Sequence, residues 1–100
     1  MKDLNVSALL DVYGAFLSEK QRLLTEYYYN DDLSLSEIAE NEGITRQGAS
    51  DLIKRSVAQL NSFEESCHYC EKFLCLKELS QKCRNGEEQP EKIFDIIENL

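Results

Sequence analysis

The sequence predicts an all-α protein built on a helix-turn-helix, without a wing and with a long helix on its C-terminal side. Three observations carry this. Residues 34–60, SLSEIAENEGITRQGASDLIKRSVAQL, hold two apolar stripes at helical period on either side of a glycine turn. Ser18 with Gln21 and Ser34 with Glu37 each have the spacing of a capping box, in which side chains satisfy otherwise orphan N–H groups. Between Ala49 and Asn85 there is neither glycine nor proline, so nothing in that stretch signals a helix end.

Each element follows in order. A first helix near residues 5–16 places Leu9, Leu10, Tyr13, Phe16 and Leu17 close to one stripe. The Ser18 box opens a second helix near 19–29 carrying Leu23, Leu24 and Tyr27, and Asn30, Asp31 and Asp32 end it with residues that favour turns. In the third helix Leu35, Ile38 and Ala39 share a face, and small Ala39 lets the following helix cross closely. Gly43 stands where the chain must turn sharply and accepts positive φ at no steric cost. Ile44 follows as an apolar plug, and Thr45 can cap the next helix.

The fourth helix buries Ala49, Leu52, Ile53, Ser56 and Leu60, and at about 100° per residue Arg46, Gln47, Ser50, Asp51 and Lys54 project from the opposite side. Without a break it runs from Arg46 to about Cys83, roughly 57 Å at 1.5 Å per residue. Ala49, Ile53, Ser56, Leu60, Phe63, Cys67, Cys70 and Leu74 recur along it in alternating steps of four and three, a heptad-like seam weakened by serine and cysteine. Either a second copy covers that seam, or the first and last helices fold back on it; the length of the helix favours a homodimer. Asn85 and Gly86 stop it, and Pro90 opens a short terminal helix with Ile93, Phe94, Ile97 and Leu100 on one stripe. The expected organisation is therefore a helix-turn-helix domain with a dimerisation helix over 1–85 and a short C-terminal helix over 86–100.

Composition excludes several classes. No apolar run approaches the ~20 residues of a membrane span, and MKDLNVSALLDVYGAF lacks the basic and continuous apolar regions of a signal peptide. A cytoplasmic protein with four reduced cysteines is expected. There is no glycine-rich phosphate loop, GxSxG elbow or HExxH pair, so neither an enzyme nor a cofactor is expected. Cys67, His68 and Cys70 invite a zinc reading, but on one helix Cys75 lies ~12 Å and Cys83 ~24 Å from Cys67. Four ligands cannot then converge at zinc distances within one chain; small apolar core residues are the expected role of the cysteines, and a helix-surface place that of His68. The Tyr27–Tyr29 run has faces that can stack on bases, although such runs commonly divide between core and surface.

Charge opposes the motif. Eleven Lys and Arg face nineteen Asp and Glu, a net charge of −8, whereas DNA binders draw much affinity from phosphate neutralisation. Residues 1–44 hold nine acids against Lys2, Lys20 and Arg22, while 45–60 hold Arg46, Lys54 and Arg55 against Asp51 alone. The locally basic segment is thus the candidate recognition helix. There Arg46 and Lys54 are expected at phosphates, Gln47 and Ser50 at base edges, and Arg55 at backbone or an acidic neighbour. DNA binding by the chain alone is expected to be weak. The competing class is an acidic interaction module that docks a basic protein or ribonucleoprotein without binding DNA.

The segments LSEKQRLL, SLSEIAENEGITRQ and IKRSVAQL together resemble region 4 of the sigma-70 family. A more specific likeness, over about residues 8–75, is to the YlxM-type family of small helix-turn-helix proteins, carried by LLDVYGAFLSEKQ, YYYNDDLSLSEIAE, TRQGASDLIKR and FEESCHYCEKF. The resemblance implies an all-α fold. It also implies a regulatory role in the bacterial signal recognition particle pathway, with a component of that particle as a possible partner. The sequence departs from the sigma pattern at Gly48 and Ser50, where region 4 commonly carries DNA-contacting arginines, and Asp51 adds a negative charge beside them.

Overall fold

The computed structural model describes residues 4–99, which form six α-helices and, among the described residues, no strand. They are α1 (Leu4–Tyr13), α2 (Glu19–Tyr29), α3 (Leu35–Glu42), α4 (Arg46–Cys67), α5 (Tyr69–Arg84) and α6 (Glu91–Glu98). The chain divides into two compact units, one ending at Cys67 and the other beginning at His68.

In the first unit α1, α2 and α3 all pack on α4. α1 buries Val6, Leu9, Leu10 and Tyr13, and then tightens into a 3-10 turn at Gly14–Phe16 instead of continuing as an α-helix to residue 16. Tightening to three residues per turn rotates Phe16 off the expected stripe, leaving it 72% exposed, while Leu17 stays buried. Both capping boxes form, with Gln21 and Glu37 each returning a side-chain oxygen to the N–H of Ser18 and Ser34. The α2–α3 connection contains Asp32 at φ 57°, a left-handed conformation that aspartate tolerates better than most residues.

Leu24, Ile38, Ala39, Ala49 and Ile53 form the core where α2, α3 and α4 meet, and Ile44, Leu35 and the three tyrosines pack around it. Full burial of Leu24, Ile38 and Leu60 stabilises the unit by about 1.5–3 kcal/mol each. Two hydroxyls inside this core are satisfied locally: Thr25 donates to the Gln21 carbonyl at 2.6 Å and Ser56 to that of Leu52 at 2.9 Å. At its far end, Tyr13 donates to the Glu64 carboxylate at 2.7 Å and its ring lies 5.8 Å from that of Phe63. Ala49, Ile53, Ser56 and Leu60, the first half of the heptad-like seam, are therefore covered by the chain's own helices.

The single helix expected from Arg46 to Cys83 is two helices. His68 interrupts it with φ 56° and ψ 22°, a left-handed residue without a side-chain cap. Neither glycine nor proline marks the break, which is why hydrophobic period and breaker residues do not reveal it. Left-handed geometry costs a non-glycine residue about 1–2 kcal/mol, a cost that no side-chain cap offsets at His68. The second unit is a helical hairpin of α5 and α6. α5 ends as expected, with Gly86 at φ 75° and the Glu87 N–H donating back to the Lys82 carbonyl at 2.9 Å. Pro90 lies just before α6. Of the expected α6 stripe, Ile93 is half-buried and Phe94 and Ile97 are exposed, and Leu100 lies outside the described residues.

Candidate nucleic-acid interface

The turn between α3 and α4 aims the site. Gly43 takes φ 64° and ψ 34°, its N–H and that of Ile44 both donate to the Ala39 carbonyl, and the chain reverses within three residues. Thr45 then caps α4, its hydroxyl accepting from the Gly48 N–H at 2.9 Å. A Cβ on residue 48 would meet that hydroxyl at 3.1 Å. Glycine at a position that weakens a helix therefore leaves room for the cap. Ala49 at 0% and Ile53 at 4% exposure press one side of α4 into the core, and this fixes which side faces outward.

On that outward side Arg46, Gln47, Lys54 and Arg55 are exposed and Ser50 is half-buried. At about 100° per residue, Arg46, Ser50, Lys54 and Gln47 occupy one arc of α4, with Arg55 on its flank. Among the described residues, no carboxylate lies within ion-pair distance of Arg46, Lys54 or Arg55. The face is not purely basic. Gln47 donates its amide to the Asp51 carboxylate at 2.9 Å, which leaves the Gln47 carbonyl, rather than its full amide, available to a ligand. Arg46 also lines a shallow hollow together with Asp32 and Glu37.

A second hollow adjoins the first. Tyr28 and Tyr29 from α2 and Leu35 from α3 line it opposite Ser50 and Lys54, and the two rings meet edge to face with centroids 5.0 Å apart. The tyrosine run thus neither points wholly into the core nor wholly away from it: all three rings are half-buried against the core, and two flank α4. Their juxtaposition with Lys54 depends on how α2 crosses α4 and has no signature in local spacing.

The cysteines do not behave as a set. Cys70 is buried, Cys83 is half-buried, and Cys67 and Cys75 are exposed, all four as free thiols; the expected core role holds for Cys70 alone. No group of three His, Cys, Asp or Glu side chains suited to a metal ion occurs among the described residues. His68 is exposed and stands at the helix break, its Nδ1 3.8 Å from the Glu71 carboxylate. No described helix is long and apolar enough to cross a membrane.

Two capped helices crossing over a left-handed glycine, with an outward polar face on the second, define a helix-turn-helix protein. The chain belongs to the family UPF0122, "Putative helix-turn-helix protein, YlxM / p13 like", which it matches over residues 1–100. Among its relatives, a UPF0122 protein of Shouchella clausii is 41% identical over 105 residues, covering 99% of this chain and 96% of its own. One from Clostridium kluyveri is 39% identical over 97 residues, covering 97% and 78%. The UPF0122 protein YlxM of Bacillus subtilis is 37% identical over 102 residues, covering 99% and 93%.

Proposed function

We propose that the protein is a regulator that binds duplex DNA through the outward face of α4, with Arg46 and Lys54 at phosphates, Gln47 and Ser50 at base edges and Arg55 at the flanking backbone. The observation that carries this reading is the set of three exposed cations on the helix that follows the Gly43 turn, none of them within ion-pair distance of a described acid. A helix so placed enters a major groove with its N-terminal residues toward the bases. The net charge of −8 repels DNA at long range, so binding by the chain alone is weak at physiological salt and tightens at low salt. The resemblance to YlxM-type proteins supports the bacterial signal recognition particle pathway, in the cytoplasm, as the setting.

The second reading, a module that docks a basic component of that particle without binding DNA, is favoured by one observation: the Asp51 carboxylate lies within the same face, held by Gln47. One titration separates the two. Labelled genomic fragments are titrated at low and physiological ionic strength with the native chain and with an Arg46→Ala, Lys54→Ala variant. DNA reading requires salt-sensitive binding that the variant loses, with a shallower salt slope, since each phosphate contact contributes about 0.9 to that slope. No binding at low salt, or binding indifferent to both substitutions, points to the docking module.

A further inference from the structure

The hairpin of α5 and α6 cannot account for its own stability. Beginning at His68, it falls below the roughly 40 residues under which domains usually need metals, disulfides or association, and Cys70 is its one buried residue among those described. On α5 and α6, which pack on each other, Leu76, Leu79, Ile93 and Ile96 are only half-buried. Meanwhile Tyr69, Phe73, Phe94 and Ile97 are 44%, 42%, 58% and 52% exposed.

Helical phase places those four together. On α5, Tyr69 and Phe73 follow the half-buried line of Leu76 and Leu79 by about 50–90° in the sense of increasing residue number. On α6, Ile97 and Phe94 follow the line of Ile93 and Ile96 by about 70–130° in the same sense. A short connection joins neighbouring helices antiparallel, and reversing direction reverses that sense, so both pairs emerge on one side of the hairpin. Tyr69 and Phe73 stack there at 6.1 Å, with the Lys72 ammonium 6.0 Å from the Tyr69 ring.

We propose that this face is the contact through which two copies of the chain associate, α5 of one copy against α6 of the other. The charges on the two helices fit that pairing. α5 carries Lys72, Lys77, Lys82 and Arg84 against Glu71 and Glu78, whereas α6 carries Glu91, Asp95 and Glu98 against Lys92. A two-fold axis sets the basic helix of each copy against the acidic helix of its partner twice over, a self-complementary arrangement. The area is also adequate. Four large side chains about half exposed present roughly 400 Å² per copy. The pair therefore covers about 800 Å² in apolar contacts before the charged rim is added, against about 1,000 Å² for a specific interface. Repulsion between two chains of charge −8 is screened beyond about 8 Å at physiological salt, while contacts across the face lie inside that distance.

This goes beyond the DNA-binding reading and does not depend on it. It also moves the homodimer contact away from the α4 seam, whose first half is buried within the chain. Sedimentation velocity of the full chain across 5–200 μM in 0.15 M salt tests it. The native chain is expected at twice its 11.5 kDa mass. Phe94→Asp with Ile97→Asp is expected to weaken self-association at least tenfold, and Phe73→Gln, which leaves α6 untouched, to weaken it measurably with helical circular dichroism unchanged. Phe16→Asp, on the other unit, should leave the dimer intact. A native chain that stays monomeric at 200 μM overturns the proposal. So does a dimer that survives both hairpin variants, or one that Phe16→Asp alone dissolves.

Discussion

Gly43 and His68 occupy the same left-handed region of backbone space, and they differ in how the local sequence announces them. Gly43 follows a capped amphipathic helix and precedes an apolar plug and a capping threonine, so its φ of 64° is what its neighbours demand. A Cβ there meets nothing within 4 Å, so the cost of substitution is purely one of backbone conformation. Gly43→Val should lower unfolding stability by more than about 1 kcal/mol, and Gly43→Asn by less, in denaturant titrations. Equal stability of native and valine forms would show that the turn is not held at positive φ. At His68 the left-handed residue has no glycine to reveal it. His68→Gly should therefore raise stability, by up to about 1 kcal/mol, by removing a steric penalty. A loss of stability on that change would mean that the imidazole, and not the backbone, sets the break.

At the scale of elements, the capping boxes show how much local chemistry contributes before any packing. Ser34→Ala removes the acceptor for the Glu37 N–H and should lower the melting temperature by an amount equivalent to about 1 kcal/mol. An unchanged melt would mean that α3 is held by burial of Ile38 and Ala39 alone. The start of α6 is held differently. Glu88 accepts from Lys92 at 3.0 Å, and chiefly that hydrogen bond holds its carboxyl below the usual value of 4.5. A lowered pKa in the folded state stabilises above the unfolded value and loses its effect as pH falls through the folded one. An NMR titration should find the Glu88 midpoint below 4.5 in the native chain and returned toward 4.5 in Lys92→Ala; a midpoint that Lys92→Ala leaves unmoved would show that the pair does not hold the start of α6.

For the molecule as a whole, the four cysteines and one histidine raise the question of metal. Their dispersal between buried and exposed positions, with no suitable group of three ligands among the described residues, sets an expectation. Purified protein should carry no stoichiometric zinc, and a chelator should leave its circular dichroism unchanged. One equivalent of zinc per chain would require ligands from two copies and a different account of α5. The two-unit division also bears on assembly. A core that covers Ala49, Ile53, Ser56 and Leu60 inside the chain leaves them unavailable to a partner, and apart from Phe16 the large apolar side chains exposed among the described residues belong to the hairpin.

The sequence by itself determined the all-α class, both capping boxes, the Gly43 turn, the stop at Gly86 and the polar face carrying Arg46, Gln47, Ser50, Lys54 and Arg55. Each of these is built from steps of four positions or fewer along the chain, the range over which helical period and caps act. Only the tertiary structure decided where the long helix breaks, that Phe16 leaves the first stripe, that Tyr28 and Tyr29 flank Lys54, and that half of the heptad-like seam is internal. Those outcomes depend on which helices lie across which. A seam of apolar residues at steps of three and four reads the same whether its partner is a second chain or α1, α2 and α3 of its own. At residue 68 the backbone turns left-handed with no local breaker to announce it, in a sequence that otherwise reads as continuous helix.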